Sequence, residues 1–313
     1  MAWTADDIPD LRGKTIVVTG GNSGIGFAAA RQLVRKGAHV VLACRDRGRA
    51  EAAAAALRRE SPGAPVEIGE IDLASLVSVR RFAETFVTAH PRLDVLCNNA
   101  GVMALPYGRT ADGFEMQLGV NHLAHFALTG LLLGPLLATP GARVVNLSSG
   151  AHRAGRIRFA DLDGERSYRK WLAYAQSKLA NLLFTLELQR RLAAAGASAV
   201  SVACHPGYAA TNLQFAGPRL RQSSLLESSW RLANRLFAQS ADMGALPTLY
   251  AATAPQVRGG DYIGPDGIGE LWGHPTVVGC GAAAKDPETA RRLWEVSVQR
   301  TGVSFAALPP PAR

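Results

Sequence analysis

Apolar, β-branched runs closed by glycine alternate with stretches of helix-forming residues along most of the 313-residue chain. KTIVVTG (14–20) predicts a buried strand. FAAARQLVRKG (27–37) predicts a helix ending at Gly37, and AHVVLAC (38–44) a second strand. RGRAEAAAAALRRE (47–60) is a run of strong helix formers stopped by Ser61-Pro62-Gly63. A third strand (65–73), a third helix (76–90) and a fourth strand (93–101) follow. The pattern continues with a long helical stretch over 113–138, a strand over 142–149, a helix over 174–196 and a strand over 198–207.

Fully apolar strands spaced by helices predict an α/β fold: a parallel sheet with helices on both faces, joined by right-handed crossovers. No repeat and no Gly/Ser-rich linker divides the chain, so residues 1–313 read as a single doubly wound domain. Residues 1–13 form a lead-in, and 305–313, ending in LPPPAR, a flexible tail. Residues 215–245 are an amphipathic excursion, with Leu226, Trp230, Ala233 and Phe237 on one face at helical spacing. This segment is expected to act as a substrate lid; packing on the body of the domain and an interfacial membrane contact are the other readings.

Composition narrows the function classes. Hydrophobic residues at 48% and charged residues at 19% exclude a disordered chain. Lys and Arg outnumber Asp and Glu by 34 to 25, yet the basic residues are scattered and no zinc-finger or RNA-binding motif is present. No nucleic-acid partner is expected. The four cysteines (Cys44, Cys97, Cys204, Cys280) form no CxxC pair, and three stand in strand-like surroundings as small hydrophobes. This pattern suits a reducing, cytoplasmic setting. The opening MAWTADDIPDL is short and acidic, unlike a signal peptide, and no apolar run approaches the ~18–20 residues that span a bilayer.

Chemistry enters at Thr19-Gly20-Gly21-Asn22-Ser23-Gly24-Ile25-Gly26, between the first strand and the first helix. Glycines let backbone approach a phosphate closely, and a helix N-terminus offers free amides and the positive end of a dipole. Strand, glycine turn and helix in this order point to a dinucleotide site, with Gly20, Asn22, Ser23, Gly24, Ile25 and Gly26 as contacts.

The G-x-x-x-G-x-G spacing resembles the loop of the short-chain dehydrogenase/reductase family. CRDRGRAE, NNAGVM, TADGFEMQLGVNHLAHF, VNLSSGAH and YAQSKLANLLF are similar to its retinol dehydrogenase-like subgroup. The resemblance covers nearly the whole chain and implies a Rossmann-like fold. It further implies that Asp72 and Leu73 contact adenine, and that Asn99, Ala100 and Gly101 belong to the signature after the fourth strand. Pro206 and Gly207 would form the turn beside the nicotinamide, with Thr211 on its amide or phosphate.

Cofactor choice is read at the end of the second strand, where an acid would bind a ribose 2′-hydroxyl and an arginine a 2′-phosphate. Cys44 stands in the acid's place, followed by Arg45, with Arg47 and Arg49 adding positive field. NADP(H) is expected over NAD(H); Asp46 is the acidic alternative if the register moves.

Tyr174 and Lys178 are four apart, so they share a helix face. A nearby ammonium is expected to lower the phenol pKa. Ser149 ends the fifth predicted strand and can hold a substrate oxygen, with Ser148 as its competitor; the family pattern favours Ser149. Asn121 resembles the fourth member of the family's catalytic set, holding a helix distortion and a water near the lysine; an ordinary hydrogen bond to backbone is compatible with this. Between Ser149 and Tyr174 lie more residues than in many family members, as in the retinol dehydrogenase-like subgroup. Tyr168 has Leu172 at the lysine position and is excluded. His122 and His125 lack the carboxylate partner of a metal set, and no metal is expected. His205 is expected to pack or cap.

The resemblance implies hydride transfer between nicotinamide and an alcohol/carbonyl pair, with Tyr174 as acid/base, on a lipophilic substrate. It also implies a homodimer or homotetramer paired through the long helices. The rival reading is a non-catalytic NADP(H) sensor or scaffold on the same fold.

Overall fold

The computed structural model describes residues 2–208 and 239–310. Its first half is strand and helix in strict alternation: β1 Thr15–Thr19, α1 Gly24–Arg35, β2 His39–Cys44, α2 Arg47–Glu60, β3 Val66–Glu70, α3 Leu76–Ala89 and β4 Val95–Asn98. Local chemistry sets the boundaries. Asp46 and Ser75 cap α2 and α3, their side chains accepting from the amides of Arg49 and Ser78.

The stretch expected as one long helix over 113–138 is broken into α4 Met116–Leu118, a π-helical turn Gly119–Leu123, α5 Ala124–Leu131 and α6 Leu133–Ala138. It starts late because the buried Glu115 carboxylate accepts from the amides of Gln117 and Leu118. It breaks after Leu131 because Pro135, four residues on, has no N–H for that carbonyl. Then come β5 Arg143–Leu147, α7 Lys170–Ala194, β6 Val200–Cys204, α8 Ala241–Thr253, β7 Tyr262–Pro265, β8 Pro275–Val277 and α9 Pro287–Thr301.

The eight strands form one sheet in the order β3-β2-β1-β4-β5-β6-β7-β8. All neighbours are parallel except the last pair, β7 and β8. The expected parallel sheet therefore carries an antiparallel edge. The link over 266–274 is too short for a helical crossover, which leaves the chain only a reversal. Strand order reverses between β1 and β4, so a crevice opens above their C-terminal ends.

Both faces are covered. On one, Leu33 of α1, Leu57 of α2 and Leu249 of α8 pack against the sheet. On the other, Phe82 and Phe86 of α3, Phe126 of α5 and Phe184 of α7 do so, with Trp294 of α9 outside them.

One expectation about the end of the chain needs correction. Phe305 and Leu308, within the expected flexible tail, are buried, and the Phe305 ring lies 4.5 Å from that of Trp294 and 4.9 Å from that of Phe126. A large aromatic ring that finds an apolar slot outweighs the proline-rich ending that follows it. The expected lid segment 215–245 lies outside the described residues up to 238; its end from Ala241 is the start of α8, capped by Ser240, with Ala245 fully buried.

Candidate active site

The β1–α1 turn is shaped for close approach. Gly20 and Gly24 have positive φ (67° and 54°). A Cβ on Gly26 would lie 2.4 Å from the Gly20 carbonyl oxygen and 2.5 Å from Nδ2 of Asn99, so only glycine fits there. Ser23 precedes α1 but its side chain caps no amide, which leaves the helix N-terminus without a side-chain acceptor. Thr19 ties this turn to the end of β4: its hydroxyl accepts from the amides of Asn99 and Ala100, both at 2.9 Å. These features fit a pyrophosphate lying against backbone amides.

At the C-terminal end of β5, Ser148 and Ser149 take different partners. The Ser148 hydroxyl is buried and donates to the Lys178 carbonyl at 2.9 Å. Ser149 caps a short 3-10 turn, Gly150–Ala154, and its hydroxyl also hydrogen-bonds to the Tyr174 phenol. Tyr174 and Lys178 stand one turn apart on α7, both buried. The Lys178 ammonium donates to the Leu147 carbonyl at 3.0 Å. A Cβ on Gly101 would lie 3.5 Å from Lys178 Nζ and 3.1 Å from Asn121 Oδ1, so the absent side chain opens the path past the lysine.

Asn121 sits inside the π-helical turn, fully buried. Its Oδ1 accepts from the Val102 amide, and its Nδ2 donates to the Val102 carbonyl and to Ser177 Oγ. The carboxamide thus clamps the chain after β4 to α7, beside Lys178. His125, one turn on, bonds Thr19 Oγ1 through Nε2 and the Asn121 carbonyl through Nδ1.

Burial decides the electrostatics. It pushes Tyr174 up to about 12, with the Ser149 hydrogen bond opposing. It pushes Lys178 down to about 8. The expected lowering of the phenol by the ammonium is therefore not what the protein alone provides. Nζ is engaged by a carbonyl, 5.8 Å from the ring centre, and desolvation outweighs its field. His122 and His125 are pushed down to about 3 and about 4, again chiefly by burial, so both are neutral core residues; His122 meets Ser297 of α9 at 2.9 Å.

These groups share one cavity of about 390 Å³. Gly20, Ser23, Gly24, Ile25 and Gly26 line one end, with Asn99, Ala100 and Gly101 on the floor. Ser149, Tyr174 and Lys178 line it as well, with Pro206 and Gly207. Asn22, Arg45, Asp72 and Leu73 do not line it; they follow the C-terminal ends of β1, β2 and β3. Asn121 lies behind Lys178. Thr211 lies outside the described residues.

Met103, Leu147, Ala151, Trp171 and Tyr208 also line the cavity and were missed in the sequence. Trp171 alone carried a usable signal, being three residues before Tyr174 on the same helix face; their rings meet edge-on at 6.4 Å. Tyr168 is held elsewhere, its hydroxyl bonded to the Leu105 carbonyl and Glu115. His205 contacts the Gly207 amide and Glu270, packing behind the Pro206 turn.

Past β2, the buried Cys44 sulfur accepts from the Gly21 and Asn22 amides, and its thiol is pushed up to about 11 by burial. Arg45 is exposed, with no ion-pair or hydrogen-bond partner among the described residues. The Asp46 carboxylate is taken by Arg49, accepting from its amide at 3.0 Å and from Nε at 2.7 Å.

A glycine turn opening a helix at the switch point of a parallel sheet, facing a serine–tyrosine–lysine wall, defines a nicotinamide-dependent oxidoreductase of alcohols and carbonyls. Residues 14–217 match the short chain dehydrogenase family, and the chain belongs to it. Within that family it is retinol dehydrogenase-like: human retinol dehydrogenase 14 is 43% identical over 308 residues, 94% of this chain and 88% of the relative. Among solved structures, an uncharacterised protein from Mycobacterium paratuberculosis is 45% identical, with a TM-score of 0.80 over 97% of this chain and 99% of that one. A protein from Beutenbergia cavernae assigned as an NAD(P)-dependent gluconate 5-dehydrogenase, with NADP bound at low occupancy, is 28% identical with a TM-score of 0.62 over 81% of this chain and 95% of that one. Among the described residues, no helix is long and apolar enough to cross a membrane.

Proposed function

We propose that this protein is an NADP(H)-dependent oxidoreductase of a lipophilic alcohol/carbonyl pair, with Tyr174 as acid/base. The observation that carries the NADP(H) reading is the end of β2. A buried thiol replaces the acid that would bind a 2′-hydroxyl, the nearby carboxylate of Asp46 is occupied by Arg49, and the Arg45 guanidinium is exposed. Such an arrangement favours a 2′-phosphate. Support for a lipophilic substrate comes from the apolar Met103, Ala151 and Trp171 beside Tyr174, and from the retinol dehydrogenase relatives.

When bound, the nicotinamide ring would donate or accept the hydride. The glycine turn and the amides of α1 would hold the pyrophosphate, and Lys178 the nicotinamide ribose. Ser149 and Tyr174 hold the substrate oxygen. Tyr174, as the neutral phenol that burial favours, gives its proton to that oxygen as an alkoxide develops and becomes a tyrosinate, which takes the alcohol proton in the reverse direction. Asn121 holds the wall on which Lys178 stands.

The test is a fluorescence titration with NADPH and NADH of wild type and Arg45→Ala. Loss of a charged hydrogen bond predicts NADPH binding weaker by about 10–150-fold, with NADH binding unchanged. An Arg45→Ala protein that keeps the wild-type ratio of the two affinities overturns the NADP(H) reading.

A further inference from the structure

At the end of the sheet opposite the cavity, three potential metal ligands meet. His39 opens β2, Glu67 is the second residue of β3, and His90 directly follows α3. Nε2 of His39 lies 3.3 Å and Nε2 of His90 3.1 Å from the same carboxylate oxygen of Glu67. All three ligand atoms fall within 4.8 Å of one another, and no other such group occurs among the described residues.

We infer that His39, Glu67 and His90 form a binding site for a divalent transition-metal ion, zinc by its donor set. A tetrahedral ion with bonds of about 2.0–2.1 Å separates neighbouring ligand atoms by about 3.3 Å, close to the two spacings seen. Two imidazoles and one carboxylate suit zinc better than the all-oxygen cations. The His90 nitrogen is buried and makes no hydrogen bond, although the Glu67 oxygen is in reach. A buried nitrogen without a hydrogen bond is open to a shared third body. The His90 ring is oriented by Phe86 at 4.6 Å and His39 at 5.3 Å. Glu67 is 44% exposed, so solvent supplies both an entry path and the fourth ligand. An ion here ties β2, β3 and the end of α3 together, far from the reacting groups, and so acts on stability.

The test uses tag-free, chelator-stripped protein titrated with Zn²⁺ against a chromophoric chelator, with thermal melts alongside. The expected result is one equivalent in wild type, loss of it in His39→Ala and His90→Ala, and binding weaker by at least about 10-fold in Glu67→Gln. Zinc raises the melting temperature of wild type only, while NADPH affinity stays equal in all four proteins. Glu67→Gln replaces an exposed group isosterically and keeps the test valid if a histidine variant fails to fold. No zinc uptake by wild type, or wild-type zinc affinity kept by the variants, overturns the site.

Discussion

Lys178 turns its ammonium to the carbonyl of Leu147 at 3.0 Å, with the centre of the Tyr174 ring 5.8 Å away. Their relationship is one of shared burial. The same dry wall that raises the phenol to about 12 lowers the lysine to about 8. Burial thereby favours the neutral phenol at Tyr174 and brings Lys178 down toward the physiological range.

Tyr174→Phe keeps the ring and removes the proton. The expected loss in kcat/KM is about 10²–10⁴-fold, the ordinary worth of a positioned acid/base. Nucleotide affinity should stay unchanged, because the ring that lines the cavity is kept and the glycine turn is untouched. Steady-state kinetics beside a nucleotide titration check both halves, and near-wild-type turnover would remove Tyr174 from the mechanism.

The lysine gives a pH prediction with a fixed sign. Its pKa in the folded protein is lowered from 10.5 to about 8 by burial. An anionic nucleotide favours the protonated form, so binding takes up a proton once pH exceeds that value. Affinity for NADPH should hold below pH 8 and fall as pH rises through it, by at most tenfold per pH unit. Lys178→Met should bind more weakly at neutral pH and lose this fall. Dissociation constants measured between pH 6.5 and 9.5 decide it.

Much of this site could be read from the chain because its parts sit at element boundaries. Gly20 to Gly26 follow an apolar run, Ser149 ends another, and Tyr174 and Lys178 share a helix face by spacing alone. The helix Arg47–Glu60 has the limits its composition predicts, since Asp46 caps it and Ser61-Pro62-Gly63 stops it. The parts that escaped depend on distant contacts. The antiparallel β8 is three residues long, too short to show a period. The π-helical turn at Asn121 rests on side-chain bonds to Val102 and Ser177. His39, Glu67 and His90 are far apart in sequence and meet only once β2, β3 and α3 are packed. The opposed pKa shifts of Tyr174 and Lys178 follow from burial, which helix spacing does not report.

Gly26→Ala tests the phosphate turn. The new methyl would lie 2.4 Å from the Gly20 carbonyl oxygen and 2.5 Å from Asn99 Nδ2, the first a backbone atom and the second held by its hydrogen bond to the Thr19 carbonyl. Forcing the turn open should cost about 1–3 kcal/mol of stability. It should also displace the amides of α1 that face the pyrophosphate, weakening NADPH and NADH alike. This equal loss distinguishes it from Arg45→Ala, which acts on NADPH only. A variant that binds both nucleotides as wild type does would show that the turn does not carry the phosphate.

The C-terminal segment offers the clearest stability test. Phe305 lies against Trp294 and Phe126, and Arg191 stacks on the other partner's ring, its guanidinium carbon 4.3 Å from the centre of Trp294. This cluster joins α5, α7 and α9 on the face away from α1 and α2. Phe305→Ala empties a slot that neighbouring helices cannot close without moving, so a loss of about 3–5 kcal/mol is expected. Urea unfolding should show a lower midpoint at an unchanged slope. Removing everything after Leu308 should leave the midpoint where it is, because Leu308 is the last buried side chain among the described residues. If Phe305→Ala were neutral and the shorter truncation were destabilising, the anchor of the tail would lie beyond the aromatic cluster.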